Sequence, residues 1–218
     1  MAKVDITSGA LSGLLGNMVL VKIGDRYYAR KRPRKRTKAE KKRVSEPKKQ
    51  TYSRMKQSQG FLKILTRPIA FGYQEHIDGA RRPFHACLSH TQSNAFSHNG
   101  SEYVLDPSLF KISLGSLLPP QGVTVERTSE GLQFSWEDNS WISSAKPFDQ
   151  AFLLLYNPED MRVKWEVAGG YRKDKGYLWP QQNNMDTWSG HVYLAFSQVS
   201  AWDKTSTVLS DSLYLGWV

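Results

Sequence analysis

Alternating apolar positions in the second half of the chain predict a series of short β-strands. Leu132, Phe134 and Trp136 occupy every second position, and residues 192–196 repeat the pattern, which is the period of a strand that buries one face. Turn-forming residues separate these segments and no helical pattern intervenes, so the strands suit antiparallel pairing. Seven strands are predicted, over residues 109–114, 123–127, 132–136, 151–156, 162–167, 191–197 and 212–217.

These strands predict an antiparallel β-sandwich of immunoglobulin or fibronectin type III architecture, because their number and turn-rich spacing fit two packed sheets. The Cys-Trp-Cys signature of antibody domains is missing, since the chain has one cysteine, so only the architecture is expected. The fold class expected for the whole chain is mainly β with a smaller helical part (α+β).

The N-terminal region predicts a β-hairpin. Met18–Ile23 and residues 26–30 have the pattern of strands, and Gly24-Asp25 between them suits a type II′ turn. The preceding residues 8–17 are rich in glycine, which predicts turns. They lack the Gly-Lys-Ser/Thr ending of a P-loop and no strand is predicted before them, so a phosphate-binding loop is not expected.

Residues 51–71 predict a helix that is kinked or ended near Thr66. Their apolar residues are spaced as one helical face, although Gly60 and Pro68 weaken the pattern. A second short helix is predicted over residues 83–96. The apolar face of the first comprises Met55, Phe61, Leu62, Leu65 and Ile69.

A basic arm separates the hairpin from the helices. Residues 30–50 contain almost no apolar side chains, and Pro33 and Pro47 interrupt any helix, so this stretch is expected to be extended in the free protein. The predicted parts of the chain are a Gly-rich start with the hairpin (1–30), the basic extended arm (31–50), a helical linker region (51–105) and the β-sandwich domain (106–218).

The charge of the chain is concentrated around this arm. The formal net charge is +10, but residues 26–56 hold 15 Lys or Arg against Glu40 and Glu46, which gives 15 − 2 = +13 there and 10 − 13 = −3 elsewhere. A neutral-to-acidic body with an attached basic segment indicates a localised electrostatic function.

The density of cations predicts a nucleic-acid partner, RNA or DNA. Lysine and arginine neutralise phosphates and release counterions, and Tyr27, Tyr28 and Tyr52 lie among them, where they can stack on bases. No helix-turn-helix, zinc-finger or RNA-binding motif accompanies the charge, so binding is expected to tolerate any base sequence. The predicted binding residues are Arg26, Arg30, Lys31, Arg32, Arg34, Lys35, Arg36, Lys38, Lys41, Lys42, Arg43, Lys48 and Lys49.

Nucleic acid is not the only partner that suits the basic segment. The charge is also compatible with a solvated run, an anionic membrane surface, or an acidic surface on a neighbouring subunit, including a second copy in a homo-oligomer. The second hypothesis for function is therefore a structural subunit of a large assembly such as a phage particle, with the arm threading onto neighbouring subunits or packaged genome. In the first hypothesis nucleic acid alone orders the arm, whereas the second requires a protein partner.

No other motif predicts a catalytic or metal centre. His85, Cys87, His90 and His98 cluster within fourteen residues, but their spacing fits no standard zinc pattern. No nucleophile with a paired base and no pair of carboxylates in a pocket can be assigned. The tryptophans are expected in the core or at an interface. We therefore expect a non-enzymatic protein without a metal or cofactor.

The expected location is the cytoplasm, or a virion if a phage encodes the protein. The first residues lack a basic stretch followed by an apolar one, and no apolar run reaches the roughly 18 residues of a membrane span. Cys87 has no second cysteine to pair with, so the core must stabilise the fold.

Several short motifs are similar to those of one protein family. They are Gly-x-Leu-Ser-Gly-x-x-Gly-Asn (9–17), Leu-Gly-Ser-Leu (114–117), Phe-Ser-Trp (134–136), Leu-Tyr-Asn-Pro (155–158) and Ser-Leu-Tyr-Leu-Gly (212–216). With them the chain resembles, over nearly its whole length, a widespread family of uncharacterised proteins from Bacteroidota and their phages. This is a domain of unknown function, so the resemblance implies an N-terminal hairpin-and-helix region followed by a β-sandwich and supplies no catalytic residues. Leu14-Leu15 stand where the family has a basic residue, and the arm is more basic than the family's, so its role belongs to this member.

Overall fold

Antiparallel strands form most of the regular structure. The computed structural model describes residues 2–5, 10–23, 26–35, 37–38, 44–78, 82–100, 102–180, 189–199 and 207–218. Its helices are α1 (Glu46–Leu62), α2 (Thr66–Gly72) and α3 (Pro83–Asn94), with 3-10 turns at Gln74–His76, Pro107–Leu109 and Arg172–Asp174. Its strands are β1 (Ala2–Asp5), β2 (Ala10–Leu15), β3 (Met18–Ile23), β4 (Arg26–Lys31), β5 (Phe96–His98), β6 (Tyr103–Leu105), β7 (Thr124–Arg127), β8 (Gly131–Ser135), β9 (Gln150–Asn157), β10 (Arg162–Glu166), β11 (Gly176–Pro180), β12 (His191–Val199), β13 (Thr207–Leu209) and β14 (Leu213–Trp217). The expectation of a mainly β fold with a smaller helical part is confirmed.

The N-terminal strands form a four-stranded antiparallel sheet in the order β1-β2-β3-β4. The predicted hairpin is confirmed, because β3 pairs with β4 along its whole length, although the turn between them lies outside the described residues. The glycine-rich start, predicted only as turns, also supplies strand β2. Its turn is at Gly16-Asn17, where Gly16 has a φ of +57°, a backbone conformation that glycine adopts without strain.

A five-stranded antiparallel sheet lies in the middle of the body, in the order β10-β9-β12-β13, with β14 also paired to β12. Both of its faces are buried. On β9, Phe152, Leu154 and Tyr156 belong to one apolar cluster, whereas Leu153 and Leu155 belong to another. Because successive side chains of a strand point to opposite faces, the two clusters lie on opposite sides of the sheet.

The helices cover one face of this sheet. Phe61 of α1 packs edge-on against Tyr156 with ring centroids 5.0 Å apart, and the Tyr156 hydroxyl donates to the Phe61 carbonyl oxygen at 2.9 Å. Leu62 and Leu65 are buried in the same cluster. The predicted break near Thr66 is confirmed, since α1 ends before it and α2 begins there, and α3 confirms the second predicted helix. Among the described helices, none combines the length and apolarity needed to cross a bilayer.

A three-stranded antiparallel sheet, in the order β11-β8-β7, covers the other face. Trp136, which directly follows β8, meets Phe196 of β12 with ring centroids 5.6 Å apart, and Trp179 of β11 is buried in the same cluster. The body therefore has three layers: helices, the five-stranded sheet and the three-stranded sheet. Six predicted strands are confirmed to within two residues at each end, as β7, β8, β9, β10, β12 and β14.

The strand predicted over residues 109–114 is wrong. Phe110 and Ile112 are buried at alternate positions, but the backbone of this segment makes no ladder. The Ile112 N–H donates to the Ser212 hydroxyl at 2.9 Å, and the Leu114 N–H donates to the Gly72 carbonyl oxygen at 3.2 Å. The Phe110 ring packs edge-on against Phe61 of α1 and Tyr193 of β12, with ring centroids 5.0 and 5.5 Å apart. Its burial thus comes from packing between α1 and the five-stranded sheet and does not require strand pairing.

Arg172 and Asp149 form a fully buried ion pair in the body, with Nε and Oδ2 3.0 Å apart. The guanidinium also donates to the Asn139 side chain and to the Leu118 carbonyl oxygen, and it lies 3.9 Å from the centre of the Phe196 ring. Burial lowers the pKa of Arg172, and the adjacent Asp149 carboxylate opposes that shift. Both charged groups find their partners inside the protein, which a buried charge requires. These contacts connect the loops that contain Leu118, Asn139 and Asp149 to the 3-10 turn of Arg172.

Candidate nucleic-acid interface

β4 is an exposed cationic edge strand. It is the last strand of the N-terminal sheet, and among the described residues it pairs with β3 alone. All six of its residues are exposed. Arg26 and Arg30 share one face with Tyr28, and Lys31 shares the other with Tyr27, since alternate residues of a strand share a face. Charges on an edge strand oppose pairing with another strand, so its side chains are left to contact a ligand of opposite charge.

The cationic surface continues beyond the strand. The Arg32 N–H donates to the Asn17 carbonyl oxygen at 2.8 Å, which extends the pairing past β4. Arg32, Arg34, Lys35 and Lys38 are exposed. The described stretch 26–35 contains no acidic residue, so every charged side chain along it is positive.

α1 begins inside the segment predicted as an extended arm. Ser45 precedes the helix with an extended backbone, and Glu46 and Pro47 lie in its first turn. Proline is tolerated there because the first N–H groups of a helix have no partner within it, and an acidic residue favours the positive end of the helix dipole. The prediction that Pro47 interrupts any helix is therefore wrong, and Lys48 and Lys49 are helical.

Three lysines form a stripe along the exposed side of α1, the lysine stripe. Lys49, Lys56 and Lys63 are exposed and lie seven residues apart, a spacing that turns by about 20° per step around a helix. A rise of roughly 1.5 Å per residue puts successive lysines about 10 Å apart along the axis. Tyr52 lies on this side and is 55% exposed. Lys49 also pairs with Glu46 at 2.6 Å, an exposed contact of small energetic weight.

The predicted binding residues fall on two elements and the chain between them. The predicted residue list omits Lys56, which lies inside the basic segment 26–56, and Lys63, which lies beyond it. Their seven-residue spacing from Lys49 was the signal that could have found them. Every predicted residue in the described part is exposed except Lys48, which is half-buried with its ammonium 5.7 Å from the Tyr52 ring centre. β4 and the chain after it hold Arg26, Arg30, Lys31, Arg32, Arg34, Lys35 and Lys38; α1 holds Lys48 and Lys49; Arg36, Lys41, Lys42 and Arg43 lie outside the described residues.

The cysteine and histidine cluster is not gathered into one site by the fold. Cys87 is buried in α3, its Sγ lies 4.0 Å from the Thr91 hydroxyl oxygen, and burial raises the pKa of its thiol to about 12. The ring of His98, in β5, accepts a hydrogen bond from the Gly100 N–H at 3.2 Å. In the part of the chain that the structure describes, no three His, Cys, Asp or Glu side chains are placed to hold a metal ion.

The carboxylates after β8 are exposed and lack the environment of a general acid. The Ser140 N–H donates to the Asp138 carboxylate at 3.0 Å and lowers its pKa, so this side chain stays ionised at neutral pH. A carboxyl group that works as a general acid near pH 7 needs a raised pKa. Glu137 is also exposed.

Comparison with known proteins places the chain in a family. Residues 12–216 match the family of unknown function DUF6266. The chain belongs to DUF6266. This membership confirms the resemblance to an uncharacterised family over nearly the whole chain, and the part shared with DUF6266 includes β4, the lysine stripe and all three layers of the body. No curated protein and no solved structure gives a match to the chain.

Proposed function

We propose that this protein is a non-enzymatic, sequence-tolerant nucleic-acid-binding protein that uses β4, the chain after it and the lysine stripe as its interface. The observation that carries the proposal is the exposed β4 strand together with the exposed chain that follows it as far as Lys35, a stretch without an acidic residue. Side chains of this kind neutralise phosphates regardless of base sequence. Within β4 and within α1 the regular backbone also sets the spacing between neighbouring charges, which a solvated tail does not.

A salt titration tests this proposal on the full chain. Binding to duplex DNA and to structured RNA is measured by fluorescence anisotropy between roughly 50 and 200 mM salt, a range over which phosphate-dominated affinity changes steeply. We expect a linear log–log plot with a slope of about −0.9 per neutralised phosphate on the duplex. Oligonucleotides of shuffled sequence are expected to bind equally well.

Two triple variants with the same loss of charge locate the interface. The first, Arg26→Gln/Arg30→Gln/Arg32→Gln, is expected to weaken binding and to lower the magnitude of the salt slope by roughly 2 to 3. The control, Arg67→Gln/Arg162→Gln/Lys173→Gln, removes three exposed charges elsewhere and is expected to keep most of the affinity. Equal losses in both triples, or no binding of the unmodified protein to either polymer, would overturn the proposal.

The second candidate function is a structural subunit of a large assembly, such as a phage particle, in which the arm of one copy contacts the body of the next. Two observations favour it. Residues 26–56 carry a net +13 and the rest of the chain −3, so arm and body attract each other between copies. In addition, Trp141 and Phe148 are 73% and 65% exposed, and exposed aromatics of this size are typical of contact surfaces.

This second function predicts defined oligomers without nucleic acid. Native mass spectrometry of nuclease-treated protein is expected to show a closed oligomer that the arm triple variant and Trp141→Ser each disrupt. If the protein were a monomer at all concentrations, self-assembly of this chain without another protein would be excluded. Under either function we propose that the two sheets adopt an immunoglobulin or fibronectin type III arrangement and serve as a scaffold or docking module, in the cytoplasm or in a virion.

A further inference from the structure

Two tyrosines of β4 are exposed on opposite faces of the sheet, and each is bordered by cations. Tyr27 is 52% exposed and Tyr28 48%. Lys22 lies directly across from Tyr27 on β3, with its ammonium 5.4 Å from the ring centre. Arg26 and Arg30 flank Tyr28 on its own face, about 7 Å to either side at the rise of an antiparallel strand. Each ring therefore has positive charge within reach of the same ligand.

The same combination recurs on α1. Tyr52 is more than half exposed and has Lys48 over its ring. It shares its side of the helix with the lysine stripe, where Lys49 and Lys56 are the nearest members along the axis. Three exposed aromatic rings on two separate elements are thus each accompanied by lysine or arginine.

The buried tyrosines of the same chain are placed differently. Tyr73, Tyr156 and Tyr193 are fully buried in the layer between helices and sheet. Their hydroxyls donate to backbone carbonyl oxygens at 2.8–3.0 Å, and burial raises the pKa of each. These rings fill the core. Tyr27, Tyr28 and Tyr52 instead leave about half of each side chain in solvent, beside cations, where an exposed ring has little effect on packing.

We propose that the ligand of this interface is single-stranded nucleic acid, whose unpaired bases stack on these tyrosines while neighbouring cations neutralise its phosphates. The inference rests on the proposed function and specifies its substrate class. In a duplex the faces of the bases are stacked inside the helix, so exposed tyrosine rings gain nothing from it. A single strand offers both groups together, and base–aromatic stacking accepts any base because every base has a π-face. That tolerance agrees with the absence of a base-reading motif.

Three probes of equal length test the substrate class on the full chain by fluorescence anisotropy. They are a single-stranded oligonucleotide, the same strand with abasic sites throughout, and the corresponding duplex. The abasic strand keeps the phosphates and removes the stacking partners. We expect the complete single strand to bind at least about tenfold more tightly than the abasic strand, since one stacked base contributes about that factor.

Variants then assign the effect to the tyrosines. Tyr27→Ala/Tyr28→Ala is expected to lower affinity for the complete single strand by about tenfold or more, and to leave binding to the abasic strand and the duplex nearly unchanged. Tyr27→Phe/Tyr28→Phe keeps the rings and the sheet packing, so it is expected to bind as the unmodified protein does. Trp141→Ala removes an exposed ring from the body and serves as the matched control.

The outcomes separate the two proposals. Equal affinity for the complete and abasic single strands, in the unmodified protein, overturns the stacking inference while salt-dependent binding still supports the proposed function. If the alanine variant lost the same factor of affinity for all three probes, the stacking inference would also be overturned, because the tyrosines would then support the structure of the sheet and not contact bases. Failure of all three probes to bind overturns the proposed function itself.

Discussion

At the scale of single residues, the Arg172–Asp149 pair makes a clear prediction about stability. Removing one partner of a fully buried ion pair leaves an uncompensated charge, which costs about 3–5 kcal/mol of unfolding free energy. Arg172→Met is therefore expected to lower stability by that amount in urea denaturation. The double variant Arg172→Met/Asp149→Leu is expected to recover part of the loss, because no lone charge remains buried.

A surface pair of the same chain is the control. Lys49 and Glu46 are both exposed, and exposed pairs contribute at most about 1 kcal/mol, so Glu46→Gln is expected to change stability by no more than that. If Arg172→Met behaved like Glu46→Gln, the buried network described for Arg172 would be contradicted.

His191 predicts a stability that depends on pH. Burial lowers the pKa of its imidazole, and the ring packs against Trp217, with centroids 4.8 Å apart, and lies 3.0 Å from the Tyr214 hydroxyl. As the pH falls, the unfolded chain protonates this histidine before the folded protein does. The stability that the neutral, half-buried imidazole contributes is therefore fully present above the unfolded pKa of about 6.5 and is lost as the pH falls through the lower folded pKa. We expect the urea midpoint to fall between pH 7 and pH 5, and to fall less in His191→Phe. Parallel pH profiles for the two proteins would contradict this origin.

At the scale of elements, two helical glycines predict opposite effects of the same substitution. Gly60 in α1 is exposed and has nothing within 4 Å of an added Cβ, so Gly60→Ala is expected to stabilise by about 0.5–1 kcal/mol. Gly72 ends α2 against the backbone of the following segment, and a Cβ there would collide with the Ile112 carbonyl oxygen. Gly72→Ala is expected to destabilise by about 1–3 kcal/mol. Thermal unfolding of both variants measures whether each substitution raises or lowers the stability. If both changed the stability in the same direction, the packing described for α2 would be contradicted.

The elements also show where sequence patterns succeed and where they fail. Strands with one exposed face, such as β8, follow the two-residue period and are predictable. β9 and β12 are apolar at nearly every position because helices cover one face of their sheet and the three-stranded sheet covers the other. In the sequence, burial on both faces is visible only as an unbroken apolar run such as 151–156. The segment 109–114 has the period of a strand, but serine side chains and α2 are its hydrogen-bond partners, and no local pattern reveals partners so distant in sequence. β11 ends in Pro180, which suits an edge strand and hides it from pattern reading.

The candidate site is predictable in part for a similar reason. Charge density identifies the basic segment, because counting lysine and arginine requires no knowledge of the fold. Charge density does not show whether a cation lies on a strand or a helix. That depends on the pairing of β4 with β3 and on the first turn of α1, where a helix begins at Glu46 and Pro47 although the composition of the segment argues against one. The lysine stripe follows from that helix, since seven-residue spacing places side chains together only in helical geometry.

At the scale of the whole molecule, charge and hydrogen bonding divide the chain at nearly the same point. Residues 1–43 carry 13 Lys or Arg and 3 acidic residues, a net of +10 that equals the charge of the entire chain. Among the described residues, the backbone pairing of β1–β4 stays within their own sheet. In the same described part of the chain, the apolar clusters of the body contain no residue before Phe61. The 13 cations of residues 1–43 therefore precede every described residue of these clusters.

This division predicts that residues 44–218 fold without the N-terminal sheet. Such a chain keeps α1, all three layers and the Arg172 network, so its urea midpoint is expected to lie close to that of the full protein, with a single cooperative transition followed by circular dichroism. It has no net charge and retains only the lysine stripe of the proposed interface, so its affinity for nucleic acid is expected to fall steeply and its salt slope to flatten. An unfolded or insoluble fragment would show that the N-terminal sheet belongs to the core. If the fragment folded and bound nucleic acid as tightly as the full protein, the interface would have to lie on the body and not on β4.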